Sequence, residues 1–550
     1  MTTPRQINIM PVNTQSIIFD TGVNEAVSSI EMKPSDLLTC KNYYITEGVA
    51  GGYVSVAGYE RYDGQTAPSS VLATSLDDAA REAARTAIGV VGGVDGIGPV
   101  RGVYVFQNGV YAFRDKIGGT AAGMYKATAV GWIEIDTSAH PLLPGGSYSF
   151  ITHNFFANST GERMYWCNGV DHARSFDGTT VNIMDNTGMG ASDKPTYIAA
   201  HIDRLWLSYP GGSLQYSVVG MDFDNDGIDG EADDWSSVNG AGEIGIGGEI
   251  TALRSSVGST LIIFGRDFIK IFEGPSIGEG VLKTFSDSLG AYPHTVDKLF
   301  DTIIFMSDMG VTTLAAAQEF GDFSTNTISE RVKRTLFTYK SLITCAITLK
   351  KLNQYRLYFS DGRCIVFSFY NKKLRGATFL RYVAPVLFIT EGMESSGDLV
   401  SFFSSNSGYA YQADVGTSFD GTVIEHNFAT SYFHYSSPRN WKRFFRITLE
   451  IDSVDEMAFY IKPSFDYSGD YYPASIENTL EVTGAGDQWD QGLWDQMMWA
   501  GSAVTNRLFY DILGIGSNMN VALRYSSKYT RQHTFQDMIV DFTVMGRQMG

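Results

Sequence analysis

The stretch from Val103 to Phe113, VYVFQNGVYAF, sets two runs of strand-forming side chains on either side of Asn108-Gly109. β-Branched and aromatic residues fit a pleated, half-buried surface. Asn-Gly is a favoured centre for a tight hairpin, because both turn positions tolerate positive φ. A lone hairpin is marginal in water, so this one must stack on further sheet. The device recurs. RMYWCNGVDHA turns at Asn168-Gly169, RLWLSYPGGSLQYS at Gly211-Gly212, TLIIFGRDFIKIF near Gly265 and TIIFMSDMGVTTL near Gly310. YRLYFSDGRCIVFSF turns at Asp361-Gly362 and LVSFFSSNSGYAYQ near Gly408. Starting from Gly109, successive turn glycines are 60, 43, 53, 45, 52 and 46 residues apart. A drifting repeat of this length marks a radial array of small sheets, in which each unit buries its faces on its neighbours and few edges stay open. The expected fold is mostly β, with a β-propeller of six or seven blades over residues 100–415.

The flanks read differently. Residues 1–99 are expected to hold two short helices. One lies in KPSDLLTCKNYYITEG, with Ser35 or Asp36 at its start and Gly48 after its end. The other is SLDDAAREAARTAIGVV, about 75–91, rich in good helix formers and capped by Ser75 or Asp77. GGVDGIGPVRG then forms a hinge into the first hairpin. Beyond Gly416, long alternating runs such as KRFFRITLEID and MIVDFTVMG predict an antiparallel β-sandwich or barrel over 416–550. Within it, Trp489, Trp494 and Trp499 step by five, which is neither helical nor strand spacing. Burial in a core or interface and a sugar-stacking platform are both open readings.

Composition narrows the function classes. No apolar run is long enough to cross a bilayer as a helix. The N-terminal MTTPRQINIMPVNTQ lacks the charged-then-apolar pattern of a secretory leader, so synthesis in a cytosol is expected. Cys40, Cys167, Cys345 and Cys364 are scattered without a CxxC pair and read as reduced, packed thiols. The histidines form no HxH or HExxH motif, which argues against zinc. The net charge of −19 argues against sequence-reading DNA binding, which needs cations on phosphates. It suits a wall that DNA slides past without sticking.

One acidic loop has ligand spacing. In MDFDNDGIDGEADDW, Asp222, Asp224 and Asp226 with Gly227 occupy positions 1, 3, 5 and 6 of a calcium loop, and Asp233 falls at position 12. Position 9 is Gly230, position 12 lacks the usual Glu, and no helices flank the loop, so a solvated acidic connection is the competing reading. No other cofactor is expected. The glycine-rich GIGPVRG and GEIGIGGE lack the spacing of a phosphate loop and read as hinges. SDMGVTTL and SDGRCIVF miss the SxDxGxxW spacing of catalytic sialidase propellers. Basic residues cluster only at 331–351 and in NKKLRG. Thr327 and Glu330 have capping-box spacing for a helix carrying Arg331, Lys333 and Arg334, which reads as a solvated face or a belt that meets an acidic neighbour.

The order of these features resembles the tail nozzle proteins of short-tailed bacteriophages, the tail tubular protein B family. PSDLLTCKNYYITEGVAGGYVSVAGYER, with Asn42, Gly58, Tyr59 and Arg61, is similar to that family's opening. GIGPVRGVYVFQNGVYAF resembles its lead-in to the first propeller hairpin, and LQYSVVGMDFDND…DDW its blade with an acidic insertion and a trailing Trp235. SSPRNWKRFFRITLEID, with Lys442 and Arg443, resembles its re-entry strand, and GRQMG its close. The resemblance implies a non-catalytic virion protein, assembled in the host cytoplasm. It implies a homohexameric ring below the tail adaptor, with tail fibres or a tail needle as further partners, through which genomic DNA leaves without sequence-specific contact. A carbohydrate-binding or glycan-hydrolysing propeller and a receptor-binding tail subunit are the alternatives.

Overall fold

The computed structural model describes residues 12–46, 51–65, 92–156, 161–185, 194–222, 228, 230–256, 259–274, 277–316, 323–394, 396–435, 437–467, 479–482, 504–528 and 530–547. Seven four-stranded antiparallel units follow one another, at 97–134, 149–183, 197–245, 250–286, 297–327, 343–381 and 388–413. The first six take all their strands in chain order. Blade 7 has three local strands, and its outermost place is filled by Tyr59–Tyr62, which pairs antiparallel with Ala410–Ala413.

The innermost strands of blades 7 and 1, Phe388–Met393 and Ile97–Phe106, lie side by side and close the ring. The approach is tight. A Cβ on Gly392 would stand 2.2 Å from Val105 Cβ, so this position requires glycine. Separate buried clusters fill the seams between blades. Phe113, Trp166 and Phe176 join blades 1 and 2. Trp206, Leu253 and Phe272 join blades 3 and 4, and Phe264, Ile271 and Phe305 join blades 4 and 5. This is a seven-bladed β-propeller, as its repeated hairpins predict.

The repeat also has a cleaner phase than the turn glycines show. Gly109 follows the first strand of its blade, whereas the other six glycines lie between second and third strands. The equivalent turn in blade 1 is Gly118-Gly119, both at positive φ. Measured from Gly118 to Gly169, the first step shortens from 60 to 51 residues. The first hairpin turns on Gln107 and Asn108, at φ 45° and 60°, with Gly109 already paired to Phe106.

The second unit is a sandwich built from both ends of the chain. Its first sheet continues blade 6 without a break. Lys373–Arg381 passes to Leu37–Lys41, then Ile424–Thr430, Met519–Ser527, Met457–Phe465 and Thr479–Val482, giving nine strands in all. Its second sheet runs Tyr43–Ile45, Tyr53–Ser55, Thr534–Arg547, Asn440–Ser453 and Val504–Gly516, with Asn13–Ile18 also paired to Thr534–Arg547. Phe428, Phe459 and Leu523 from the first sheet and Phe444, Leu449 and Val540 from the second share one buried core. Burial of such side chains, worth roughly 1.5–3 kcal/mol each, holds the two layers together.

Three expectations need correction. The helix expected after Ser35 is the strand Leu37–Lys41, because two strands distant in sequence, Lys373–Arg381 and Ile424–Thr430, trap it between them. Asp36, expected as its cap, instead accepts hydrogen bonds from Thr21 Oγ1 and Asn24 Nδ2, each at 2.8 Å, and from Arg331 Nη1 at 3.1 Å. The described N-terminal strands are shared among blade 7 and both sandwich sheets, so they do not form a unit of their own. The basic segment does form a helix, Lys333–Tyr339, but without the capping box. Thr327 ends a strand, Glu330 starts a 3-10 turn, and the first-turn N–H of Thr335 is accepted instead by the distant Glu25 Oε2 at 2.9 Å. The helix expected at 75–91 and the Trp-rich stretch with Trp489, Trp494 and Trp499 lie outside the described residues.

Candidate channel and assembly surface

All seven innermost strands converge on the propeller axis, where they line a cavity of about 360 Å³. A second cavity of about 610 Å³ shares Ile198, Leu253, Arg254, Asp297 and Lys350 with it. Rings from different blades meet across the axis and narrow it. Tyr104 stacks on Phe150 at 4.9 Å between centroids, Phe388 meets Phe150 edge-on at 5.5 Å, and Tyr197 lies 5.6 Å from His294. Volumes of this order suit small molecules and exclude a double helix.

The polar groups on the axis are mutually engaged. Arg254 Nη2 donates to Asp297 Oδ1 at 3.1 Å and to the Val296 carbonyl at 3.2 Å. Asp297 Oδ2 accepts from both the backbone N–H and Oγ1 of Thr348, each at 2.8 Å. Glu391 Oε1 accepts the Lys350 N–H at 3.1 Å. These contacts stitch blades 4 to 5, 5 to 6 and 6 to 7. Burial pushes the Glu391 carboxyl above its ordinary range and His294 below its own. The arrangement rigidifies the ring. Among the described residues, no group of three or more His, Cys, Asp or Glu is placed to hold a metal ion.

The proposed calcium loop is only partly described. Asp222 follows the 3-10 turn Val219–Met221, Asp233 lies in the turn before Trp235, and Asp224 and Asp226 fall outside the described residues. The carboxylate that visibly organises the loop was not singled out by spacing. Asp234, 1% exposed, accepts the N–H groups of Gly230 at 2.9 Å and Glu231 at 3.2 Å. It positions Trp235, which is fully buried against Tyr165, Leu205 and Met221. The four cysteines are all buried, unpaired thiols, and burial pushes Cys345 up to about 12, which makes it a poor nucleophile. Of the basic cluster, Arg331 is committed to Asp36 and the Thr21 carbonyl. Lys372 pairs with Asp301 at 2.9 Å.

The outer face of the second sandwich sheet carries polar side chains brought together by long-range pairing. Three cross-strand rows run over it. Thr14 faces Asp541, which faces Arg446, which faces Asp511. Ser16, Ile539, Thr448 and Phe509 form the second row, and Ile18, Asp537, Glu450 and Arg507 the third. Arg446 Nε donates to Asp511 at 2.7 Å and Arg507 Nε to Glu450 at 2.6 Å. Burial and the adjacent Glu450 carboxylate hold the Asp537 carboxyl above its ordinary range. The sheet ends in Val504–Gly516, a 13-residue strand whose second edge has no strand partner among the described residues. Leu513 is 91% exposed, and Phe509 and Ile515 are also exposed.

No protein-family model matches the chain, and no curated protein matches it. Among solved structures, the WD40 beta propeller domain of Doa1 is similar at 12% identity and a TM-score of 0.36, over 59% of this chain and 95% of that one. BBS1N, solved in complex with ARL6DN, is similar at 12% identity and a TM-score of 0.37, over 60% and 95%. The WD40 domain of Toxoplasma gondii coronin is similar at 10% identity and a TM-score of 0.36, over 68% and 87%. The propeller is established by the strand pairing itself. No described helix is long and apolar enough to cross a membrane.

Proposed function

We propose that the chain is a structural, non-catalytic tail protein of a short-tailed bacteriophage, a nozzle subunit of which six copies surround a passage for the leaving genome. The observation that carries this reading is the outer face of the sandwich, where the carboxylates of Glu450, Asp511, Asp537 and Asp541 outnumber the guanidinium groups of Arg446 and Arg507 that share their rows across strands 440–453, 504–516 and 534–547. The acidic excess disfavours phosphate, and together with a net charge of −19 it suits a bore wall to which DNA does not adhere. The plugged propeller axis supports the same reading, since any passage for a duplex then lies between copies. The continuous sheet from blade 6 into the sandwich gives the rigidity that a tube wall needs.

The test is mass measurement and cryo-electron microscopy of the full chain, alone and with the adaptor ring of a short-tailed phage. Six-membered rings with an acidic axial passage are expected. Monomers under both conditions, or a strongly basic bore, would overturn the proposal. So would glycan hydrolysis abolished by one Asp or Glu substitution, which would establish the catalytic-propeller alternative.

A further inference from the structure

We infer that the strand Val504–Gly516 of one copy pairs with the strand Asn13–Ile18 of the next, so that the sandwich sheet continues from subunit to subunit. The inference rests on the ring reading above and names the contact that would build it.

Four observations converge. First, Val504–Gly516 and Asn13–Ile18 lie on opposite sides of the same sheet, separated by Asn440–Ser453 and Thr534–Arg547, and each has one edge without a strand partner among the described residues. An unpaired edge presents a row of N–H and C=O groups ready to accept another strand. Secondly, the directions match. Every neighbouring pair from Asn13–Ile18 to Val504–Gly516 is antiparallel, so adding the next copy's Asn13–Ile18 beside Val504–Gly516 continues the alternation. The contact is head-to-tail, the kind that generates rings when the rotation closes.

Thirdly, the two edges are electrostatically compatible in a chain that otherwise repels its own copies. Residues 12–18, VNTQSII, carry no charge. The charges on Val504–Gly516, Arg507 and Asp511, are neutralised within their own sheet by Glu450 and Arg446. Neither strand contains the Lys or Pro that commonly protects an edge. Fourthly, the apolar side chains fall into one register. With Phe509 opposite Ile18, Asp511 faces Ser16, Leu513 faces Thr14 and Ile515 faces Val12. Phe509, Leu513, Ile515, Ile18 and Val12 are all exposed in the single copy, and this pairing covers them together. It also extends the carboxylate-bearing rows across the subunit boundary.

Paired cysteines read the contact directly, and the four native thiols are all buried and will not compete. In the full chain carrying Thr14→Cys and Leu513→Cys, mild oxidation at high protein concentration should give a ladder of disulfide-linked multimers. A mixture of the two single variants should give dimers only. Leu513→Lys in the wild-type background should keep the thermal midpoint and remove any ring seen by mass measurement, since Leu513 touches little in the single copy. Cross-linking by Leu513→Cys alone would show the edge pairing with itself and would overturn the inference. Rings that form without the Thr14–Leu513 cross-link would overturn it too while leaving the ring reading intact. Absence of both rings and cross-links would end both.

Discussion

Arg356 and Asp414 form a two-pronged ion pair, with Nη1 donating to Oδ2 and Nη2 to Oδ1, each at 2.9 Å. Arg356 is fully buried in the second strand of blade 6, and Asp414 immediately follows the third strand of blade 7. Nε of Arg356 is taken by Gln354 Oε1 at 3.0 Å. Removing the carboxylate would strand a guanidinium in the core, which typically costs about 3–5 kcal/mol. Asp414→Ala should lower the urea midpoint accordingly. Asp414→Asn should fall in between, because Asn tolerates the left-handed backbone at φ 57° and keeps one acceptor. The double variant Arg356→Met with Asp414→Asn should recover much of the loss, since no unpaired charge remains.

Acid should weaken the sandwich through two imidazoles. His426 and His533 are buried together around Tyr43, whose hydroxyl lies 2.9 Å from His533 Nε2. Burial lowers His426 to about 3, and burial with the neighbouring His426 lowers His533 well below its ordinary value. Below pH 6.5 the unfolded chain takes up these protons and the folded chain does not. The stability is therefore complete above about pH 6.5 and is lost as pH falls towards the folded values. Between pH 6.5 and 5 the pair should remove about 3 kcal/mol. Chemical denaturation across that range should show the slope, and His426→Phe should halve it.

Tyr59 holds the ring shut. It is 1% exposed, stacks on Phe419 at 5.0 Å, and its hydroxyl accepts the Ala384 N–H at 2.8 Å. Tyr59→Ala should cost about 3–5 kcal/mol, by analogy with other buried aromatic truncations. Tyr59→Phe should cost about 1–3 kcal/mol, from the unpaired Ala384 N–H. Hydrogen exchange should localise the loss in Tyr59–Tyr62 and Ala410–Ala413 rather than in blades 2 to 4.

Asp234 should matter more to its loop than any other described carboxylate there. Asp234→Ala unpairs the Gly230 and Glu231 N–H groups and should lower stability by about 1–3 kcal/mol. Near-ultraviolet circular dichroism should report the changed setting of Trp235. Asp233→Ala, whose side chain is not what holds these N–H groups, should change little in the absence of metal ions.

The propeller was legible because each blade repeats a local signal, a turn glycine between runs such as YRLYF and CIVFSF. The first turn was misphased because Asn108-Gly109 and Gly118-Gly119 carry similar turn chemistry, and only pairing distinguishes them. Leu37–Lys41 was misread as helix because its strand identity comes from partners more than three hundred residues away. The outer rows that bring Glu450 beside Asp537 are likewise invisible before pairing is known. One clue was available. Val504–Gly516 is apolar on both parities, with Leu508 and Ile512 inward and Phe509 and Leu513 outward, a pattern that signals a strand needing cover on two sides.

Blade 7's closure by Tyr59–Tyr62 has a consequence during synthesis. That strand leaves the ribosome well before its partner Ala410–Ala413, which follows some three hundred and fifty residues later, and Asn13–Ile18 waits for Thr534–Arg547, more than five hundred residues on. Both segments must stay uncommitted until those partners are made. Nascent chains that have not yet reached Thr534–Arg547 should therefore be the forms that demand chaperone protection, and the arrival of that strand should let Asn13–Ile18 find its place.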